Sequence, residues 1–336
     1  MAVSVRAAAL SNFVSVARHV GLDPLPALRQ FGLDPRVLSD QDLRVPASAV
    51  AALLEHAAEA SNCPTFGLRM AESRRLSDFG AISLLISHER SLRDAIAALA
   101  RYRTQLNEAL AIDIEECGDA VIVREDLFIE GVAYPRQAYE LALGTLFRMC
   151  NAVLDSRWRP LSVHFAHKAP ENLDTHRRIF NAPCVFDSEF NGMLCSVIDL
   201  DRPSPKSDPV MARYAEQLMH AMPTVGAVSA EQEVRRTIQV LLPKQRASIA
   251  GVAESLGVNV RTLQRKLEAE GVVFGELLAQ VRRDLAERYL LDGAVSLTDV
   301  AAALGYSQLS SFTRWFTAEF SVSPSGWRDQ QSAARE

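Results

Sequence analysis

VAESLGVNVRTLQRKL (residues 252–267) and VAAALGYSQLSSFTRWF (residues 300–316) are two copies of one pattern. Ala253, Leu256 and Gly257 recur 48 positions on as Ala301, Leu304 and Gly305. Leu263, Arg265 and Leu267 recur 49 positions on as Phe312, Arg314 and Phe316, so the second copy has gained one residue in its turn. Each copy reads as a short helix with a small alanine where helices cross, a glycine suited to the left-handed backbone that ends a helix, a polar cap and a second helix. Asn259 and Ser307, each two residues beyond the glycine, are placed as N-caps. A repeated unit implies a repeated task. This grammar is that of the helix-turn-helix, whose second helix enters the DNA major groove.

The i,i+4 pairs Leu263/Leu267 and Phe312/Phe316 must face a core. Arg261, Gln264, Arg265 and Lys266 then project outward from the first reading helix, and Ser310, Ser311, Thr313 and Arg314 from the second. Arginine can take both acceptors of a guanine edge and glutamine can match adenine, whereas lysine and hydroxyls suit phosphates. One such amphipathic helix would more simply be a solvated face. Two matched ones, each with an arginine two residues after its first buried anchor, favour double-stranded DNA as the partner. The helix between them, Phe274 to Leu291, has 18 residues. At 1.5 Å per residue it spans about 27 Å, so the two reading helices can reach successive major-groove faces about one duplex turn apart.

Around this core motif the chain has 336 residues, which predicts about two domains. With 48% hydrophobic and 23% charged residues, the composition excludes disordered, fibrous and low-complexity classes. No run of about 18 apolar residues occurs, so no helix spans a bilayer and no membrane partner is expected. Arg6, Ser11, Asn12, Ser15, Arg18 and His19 interrupt the N-terminal apolar stretch, which makes the cytoplasm the expected location. The five cysteines are an odd number without a C-x-x-C pair and read as reduced thiols, not as a disulfide framework or zinc module. The net charge of −5 is carried entirely ahead of Glu231, because from there onward 13 basic residues balance 13 acidic ones. Within that neutral part, Lys244, Arg246, Arg261, Arg265 and Lys266 face only Glu254, forming a local basic patch.

MPTVGAVSA, residues 222–230, reads as a linker between a domain over 1–221 and one over 231–336. Ahead of it, helices are expected over Val3–Val20, Leu25–Phe31, Ala47–Ala60, Leu92–Asn107, Asn172–Phe180 and Pro209–Met219. Leu110–Cys117 and Ala120–Phe128 alternate apolar and polar around Gly118-Asp119 and form a hairpin, with further strands over Leu161–His167, Cys184–Phe186 and Met193–Val197. Everything after the linker is helical. The expected fold is an α+β N-terminal domain followed by an all-α domain with two helix-turn-helix units joined by a linker helix.

Other constellations carry no chemistry. His164 and His167, three apart on a strand, point to opposite faces and exclude a shared metal. G-x-S-x-G, G-x-x-x-x-G-K-[ST], H-E-x-x-H and G-x-G-x-x-G are all missing, so no catalytic residue and no cofactor are expected. Glu115, Glu116, Glu125 and Asp126 flank the hairpin and read as a solvated face. Phe128, Tyr134, Tyr139, Phe147 and Trp158 read first as core, with the wall of a mostly apolar ligand pocket as the alternative. They single out no ligand-binding residue.

The stretch from about Ser248 to Arg328 contains I-A-x-x-A-E-x-L-G-V-N-x-R-T-L-Q-R-K-L and D-V-A-x-x-L-G-Y-S-x-x-S-S-F-T-R-W-F-x-x-x-F-S-V-S-P-S-G-W-R. It resembles the paired helix-turn-helix domain of AraC/XylS-type transcriptional regulators. The resemblance implies that Arg261, Gln264 and Arg265 read bases in the first unit and Ser310, Ser311 and Arg314 in the second. Ser321 departs from it, since the family has glycine before V-S-P. Phe66-Gly67-Leu68-Arg69, Gly80-Ala81, Trp158-Arg159-Pro160 and Val163-His164-Phe165-Ala166-His167 resemble the N-terminal effector domain of the ornithine-utilisation and virulence-regulator branch, labelled arabinose-binding. The resemblance thus implies a homodimeric, sequence-specific transcriptional regulator modulated by a small-molecule effector, with RNA polymerase as a further partner if it activates. Pro209–Met219 is the candidate dimer helix. The rival reading is a metabolite-processing enzyme fused to a helical DNA-binding module.

Overall fold

The computed structural model describes residues 3–129, 134–154, 158–221, 229–256, 258–291 and 296–333. It divides into two units, 1–225 and 226–336. The linker expected over 222–230 lies outside the described residues up to residue 228. The first unit opens with β1 (Ser4–Arg6), a turn of 3-10 helix (Ala7–Leu10), α1 (Phe13–His19) and α2 (Pro24–Gln30). The single helix expected over Val3–Val20 is therefore broken. Its first residues pair antiparallel with β2 (Arg44–Pro46), and Asn12, at φ 70°, starts α1 afresh from a left-handed backbone. A short apolar run fits a strand as well as a helix, and here β2 supplies the hydrogen bonds.

α3 (Ala47–Ala60), α4 (Phe66–Glu72), α5 (Ile82–His88) and α6 (Leu92–Leu106) follow, then the hairpin β3 (Leu110–Cys117) and β4 (Ala120–Leu127), turning at Gly118-Asp119 as its alternation predicts. α7 (Arg136–Val153) has no counterpart in the sequence reading. Tyr139, Leu143, Leu146, Phe147, Cys150 and Val153 are buried at i, i+4, i+7, i+8, i+11 and i+14 along one stripe, with Leu141 and Met149 buried beside it. α4 crosses α7 closely. A Cβ on Gly67 would lie 2.0 Å from the Gln137 carbonyl oxygen, and one on Gly144 would lie 2.5 Å from Ala71 Cβ.

The unit ends with β5 (Ser162–His164), α8 (Asp174–Phe180), β6 (Cys184–Val185), β7 (Gly192–Ser196), α9 (Val197–Asp201) and α10 (Pro209–Ala221). The strand expected to run to His167 stops at His164, where its last paired residue meets Gly192 and Val185. The five-stranded sheet has the order β3-β4-β7-β5-β6, antiparallel except for β5 with β6. Two apolar cores form. One, containing Phe147, Phe165, Phe180 and Met193, joins the sheet to α5, α6, α7 and α10. The other, containing Phe13, Leu28, Leu54 and Phe66, joins the N-terminal helices to the far ends of β3 and β4.

The second unit is all helical: α11 (Ala230–Leu241), α12 (Ile249–Ser255), α13 (Val260–Ala269), α14 (Phe274–Leu291), α15 (Leu297–Ala303), α16 (Leu309–Phe320) and α17 (Pro324–Ala333). Leu277, Val281, Leu285, Ala286 and Leu290 of α14 run through a single core shared by both helix pairs. Among the described residues, no helix is long and apolar enough to cross a membrane.

Candidate nucleic-acid interface

Each helix pair is built by the same local chemistry. Ser248 and Ser296 cap α12 and α15 by accepting from the amides of Gly251 and Asp299, both at 3.1 Å. Asn259 caps α13, accepting from Thr262 N at 2.8 Å, as its position predicts. Ser307 does not cap α16. The N-cap there is Gln308, without a side-chain cap bond, because the residue gained in the second turn moves the helix start one place on. Gly305 holds φ 79°, and a Cβ there would sit 2.5 Å from the Leu242 carbonyl oxygen, so both conformation and space demand glycine. The matching Gly257 lies outside the described residues.

The anchors behave as equivalents. Ala253 and Ala301 are buried at the crossings, and Leu263, Leu267, Phe312 and Phe316 are each at most 1% exposed. In the second pair the aromatic residues continue the core: Phe316 stacks on Phe320 at 4.2 Å and meets Trp327 of α17 at 6.3 Å. Tyr306 packs on Phe312 and Trp315, with the Arg282 guanidinium over its ring at 5.4 Å. Ser321 closes α16 at φ 59°, the left-handed position that a glycine would occupy without strain.

With those anchors turned inward, Arg261, Gln264, Arg265 and Lys266 are exposed on α13, and Ser310 and Arg314 are exposed on α16. Ser311 and Thr313 are half-buried, and Thr313 donates its hydroxyl to the Leu309 carbonyl at 2.9 Å. The outer surface of α16 is an open face formed by Leu309, Ser310, Thr313, Arg314, Thr317 and Ala318. Thr317 was not singled out from the sequence, although the i,i+4,i+8 spacing of Leu309, Thr313 and Thr317 already puts them on one stripe. Ser311 lies off that face, on the Trp315 side. Of the basic patch, Arg246 is ion-paired with Glu254 at 3.0 Å, and Lys244 is half-buried. Among the described residues no side chain bonds to Arg261, Arg265 or Arg314, which leaves these guanidinium groups as available donors.

The family model described as the arabinose-binding domain of AraC transcription regulators, N-terminal, matches residues 21–204, and a helix-turn-helix domain model matches residues 252–330. The chain belongs to the AraC family of transcriptional regulators. This AraC-family chain is 27% identical over 326 residues to the HTH-type transcriptional regulator VirS of Mycobacterium tuberculosis, spanning 96% of each. It is 22% identical over 270 residues to the ornithine utilization regulator of Pseudomonas aeruginosa, spanning 79% of each. The crystal structure of the transcriptional regulator CdpR from Pseudomonas aeruginosa aligns over 96% of both chains at 22% identity, with a TM-score of 0.45. These families and relatives are regulators, so the AraC-family chain is a DNA-binding transcriptional regulator and not an enzyme, which removes the rival reading.

The N-terminal unit places the remaining sequence candidates. Glu116 is exposed and pairs with Arg93 at 2.5 Å, as a solvated face requires. Glu125 contradicts that reading: it is only 2% exposed. The cause is strand alternation, which turns Val121, Val123, Glu125 and Leu127 to the same inner face of β4. Asp126 is half-buried, and burial pushes it up to about 6. His164 sits between the Ser162 and Ser188 hydroxyls at 2.8 and 3.1 Å, whereas His167 and His176 both lie 3.4 Å from the buried Glu140 carboxylate. Burial lowers both His164 and His167. Phe147 and Trp158 are core, and Tyr139 is core as well, its hydroxyl accepting from Leu127 N at 3.1 Å. Tyr134 stacks on Tyr139 at 5.0 Å and is partly exposed.

Proposed function

We propose that α13 and α16 read two successive major-groove faces of one operator. Arg261, Gln264, Arg265, Ser310 and Arg314 would contact base edges, with Lys266, Ser311, Thr313 and Thr317 at the backbone. The observation that carries this reading is the equivalence of Arg265 and Arg314: each follows a buried anchor by two residues, each is exposed, and the helices that bear them are joined through α14. Selection of binding duplexes from a random pool tests it. The expected product is a bipartite site whose two elements lie about one helical turn, roughly 10 base pairs, apart. A single contiguous element read by one unit would overturn it.

A small-molecule effector bound in the first unit shifts the equilibrium between DNA-competent and incompetent states, which requires different affinity for the two. The match to an effector-type domain over residues 21–204 supports this. The protein acts as a cytoplasmic homodimer, and RNA polymerase is a further partner if it activates. Support for the dimer comes from α10. Its Ala215 and Met219 are buried against its own unit, while Val210, Met211, Tyr214 and Leu218 are 43–56% exposed, an apolar stripe available to a second copy.

A further inference from the structure

The two apolar cores of the first unit meet around a half-open cavity of about 140 Å³, whose mostly apolar wall carries two carboxyl groups, Asp78 and Glu125. Val50, Ala51, Leu54, Leu127, Leu141 and Leu146 form much of that wall. Glu125 enters it from β4, 2% exposed, and its Oε2 has no hydrogen-bond partner among the described residues. An unsatisfied buried carboxyl is costly, and an apolar residue at 125 would simply continue the inner face of the strand. The remaining charges of the lining are compensated. Arg6 pairs with Asp42 at 2.6 Å, Arg74 donates to the carbonyls of Ala8 and Ala9, and the Asp78 carboxylate accepts from the Arg75 amide at 3.0 Å.

Burial, and next the charge of Asp126, push Glu125 up to about 8, so at neutral pH the group is an uncharged donor. A dry cavity of about 150 Å³ accommodates a single benzene ring. We infer that this cavity binds a compact, uncharged molecule, about the size of one six-membered ring, whose carbonyl or hydroxyl oxygen accepts a hydrogen bond from the Glu125 carboxyl. This rests on the reading of the first unit as effector-responsive and names its site and ligand class.

The full chain is titrated with cyclohexanone and benzaldehyde as uncharged acceptors, toluene lacking an acceptor, and benzylamine and benzoate as charged counterparts. Calorimetry and the unfolding midpoint are read. The expected result is binding of the two carbonyl compounds, raising the midpoint by roughly 5 °C at a hundredfold excess over Kd. Glu125→Gln, which keeps a donor, retains affinity within about threefold, and Glu125→Leu weakens it about tenfold or more while raising the midpoint of the free protein. Ala142→Leu, which fills the cavity, abolishes binding. Failure of both carbonyl compounds to bind, equal binding of toluene, tighter binding of a charged counterpart, or indifference to Glu125→Leu overturns the assignment. A band shift with the same probes separates the two readings. A carbonyl compound that binds through Glu125 without changing DNA affinity leaves the site standing and removes effector control from it. A metabolite extract that changes DNA affinity equally in wild type and Ala142→Leu keeps effector control and removes this cavity.

Discussion

Truncating Arg265 and Arg314, singly and together, tests whether both units grip the same duplex. Both side chains are exposed, so removing them disturbs neither core, and the loss falls on binding rather than folding. A bidentate arginine–guanine contact is worth about 1–3 kcal/mol, which converts to roughly 5- to 150-fold in Kd for each single alanine variant. α14, with 18 residues and about 27 Å long, lies between the two helices in the chain, and a spacing set by its length is well beyond the range of roughly 7–10 Å within which substitutions couple. The double variant should therefore lose the sum, about 2–6 kcal/mol, with a coupling energy within about 0.5 kcal/mol of zero. Fluorescence anisotropy on a labelled operator at fixed salt measures all three constants. A double variant no weaker than the worse single would show that only one unit engages DNA at a time. Unchanged base preference in both singles would reassign the arginines to the backbone.

Lys266→Ala should weaken binding to all sequences alike and lower the slope of log K against log salt by about one unit, because a phosphate contact releases one counterion; an unaltered slope places Lys266 in solvent. Ser321→Gly should stabilise the second unit by about 0.5–1 kcal/mol in urea unfolding, since the left-handed φ of 59° is relieved while the amide bond to the Thr317 carbonyl at 2.9 Å remains. Gly305→Ala should destabilise it by about 2 kcal/mol or more through φ 79° and the approach to the Leu242 carbonyl, and matching midpoints for the two variants would contradict this backbone assignment. Glu125, raised to about 8 in the fold, contributes stability that is complete at low pH and lost as pH rises through that value, at up to about 1.4 kcal/mol per pH unit. His164 and His167, lowered by burial, make stability rise with pH over the lower part of the window from pH 6.5 to 8, but this slope is common to wild type and variant, so their difference isolates Glu125. Glu125→Gln should flatten the fall in unfolding free energy over that window, and an unchanged slope would show that the group is ionised throughout. Leu218→Glu should convert a dimer to monomers in sedimentation, because the exposed α10 stripe cannot bury a carboxylate; an unaltered mass removes α10 from the interface.

The second unit was legible almost residue by residue because its information is local and doubled. Leu263 and Leu267, and Phe312 and Phe316, declare one helix face each, and the faces they leave are the ones the structure exposes. Two details differ: Gln308 rather than Ser307 is the cap, because the residue gained in the second turn shifts the helix start without altering the anchors, and Ser311 lies half-buried off the open face. In the first unit the hairpin and α3 were equally plain. α7 was not, although Tyr139, Leu143, Leu146, Phe147, Cys150 and Val153 carry a helical stripe; its buried polar residues Gln137 and Glu140 find their partners only in distant elements, which no local pattern shows.

What the amino-acid sequence determined by itself is whatever depends on neighbours a few positions apart: the paired helix-turn-helix units, their outward arginines, and the alternation of β4. The burial of Glu125 was implicit in that alternation, since residue 125 falls in register with Val121, Val123 and Leu127. That this inward face meets a cavity rather than packed side chains was decided only by tertiary structure. The wall draws on α3, α6, α7 and the N-terminal segment, distant in the chain, and the volume left where two cores meet depends on how those elements pack together.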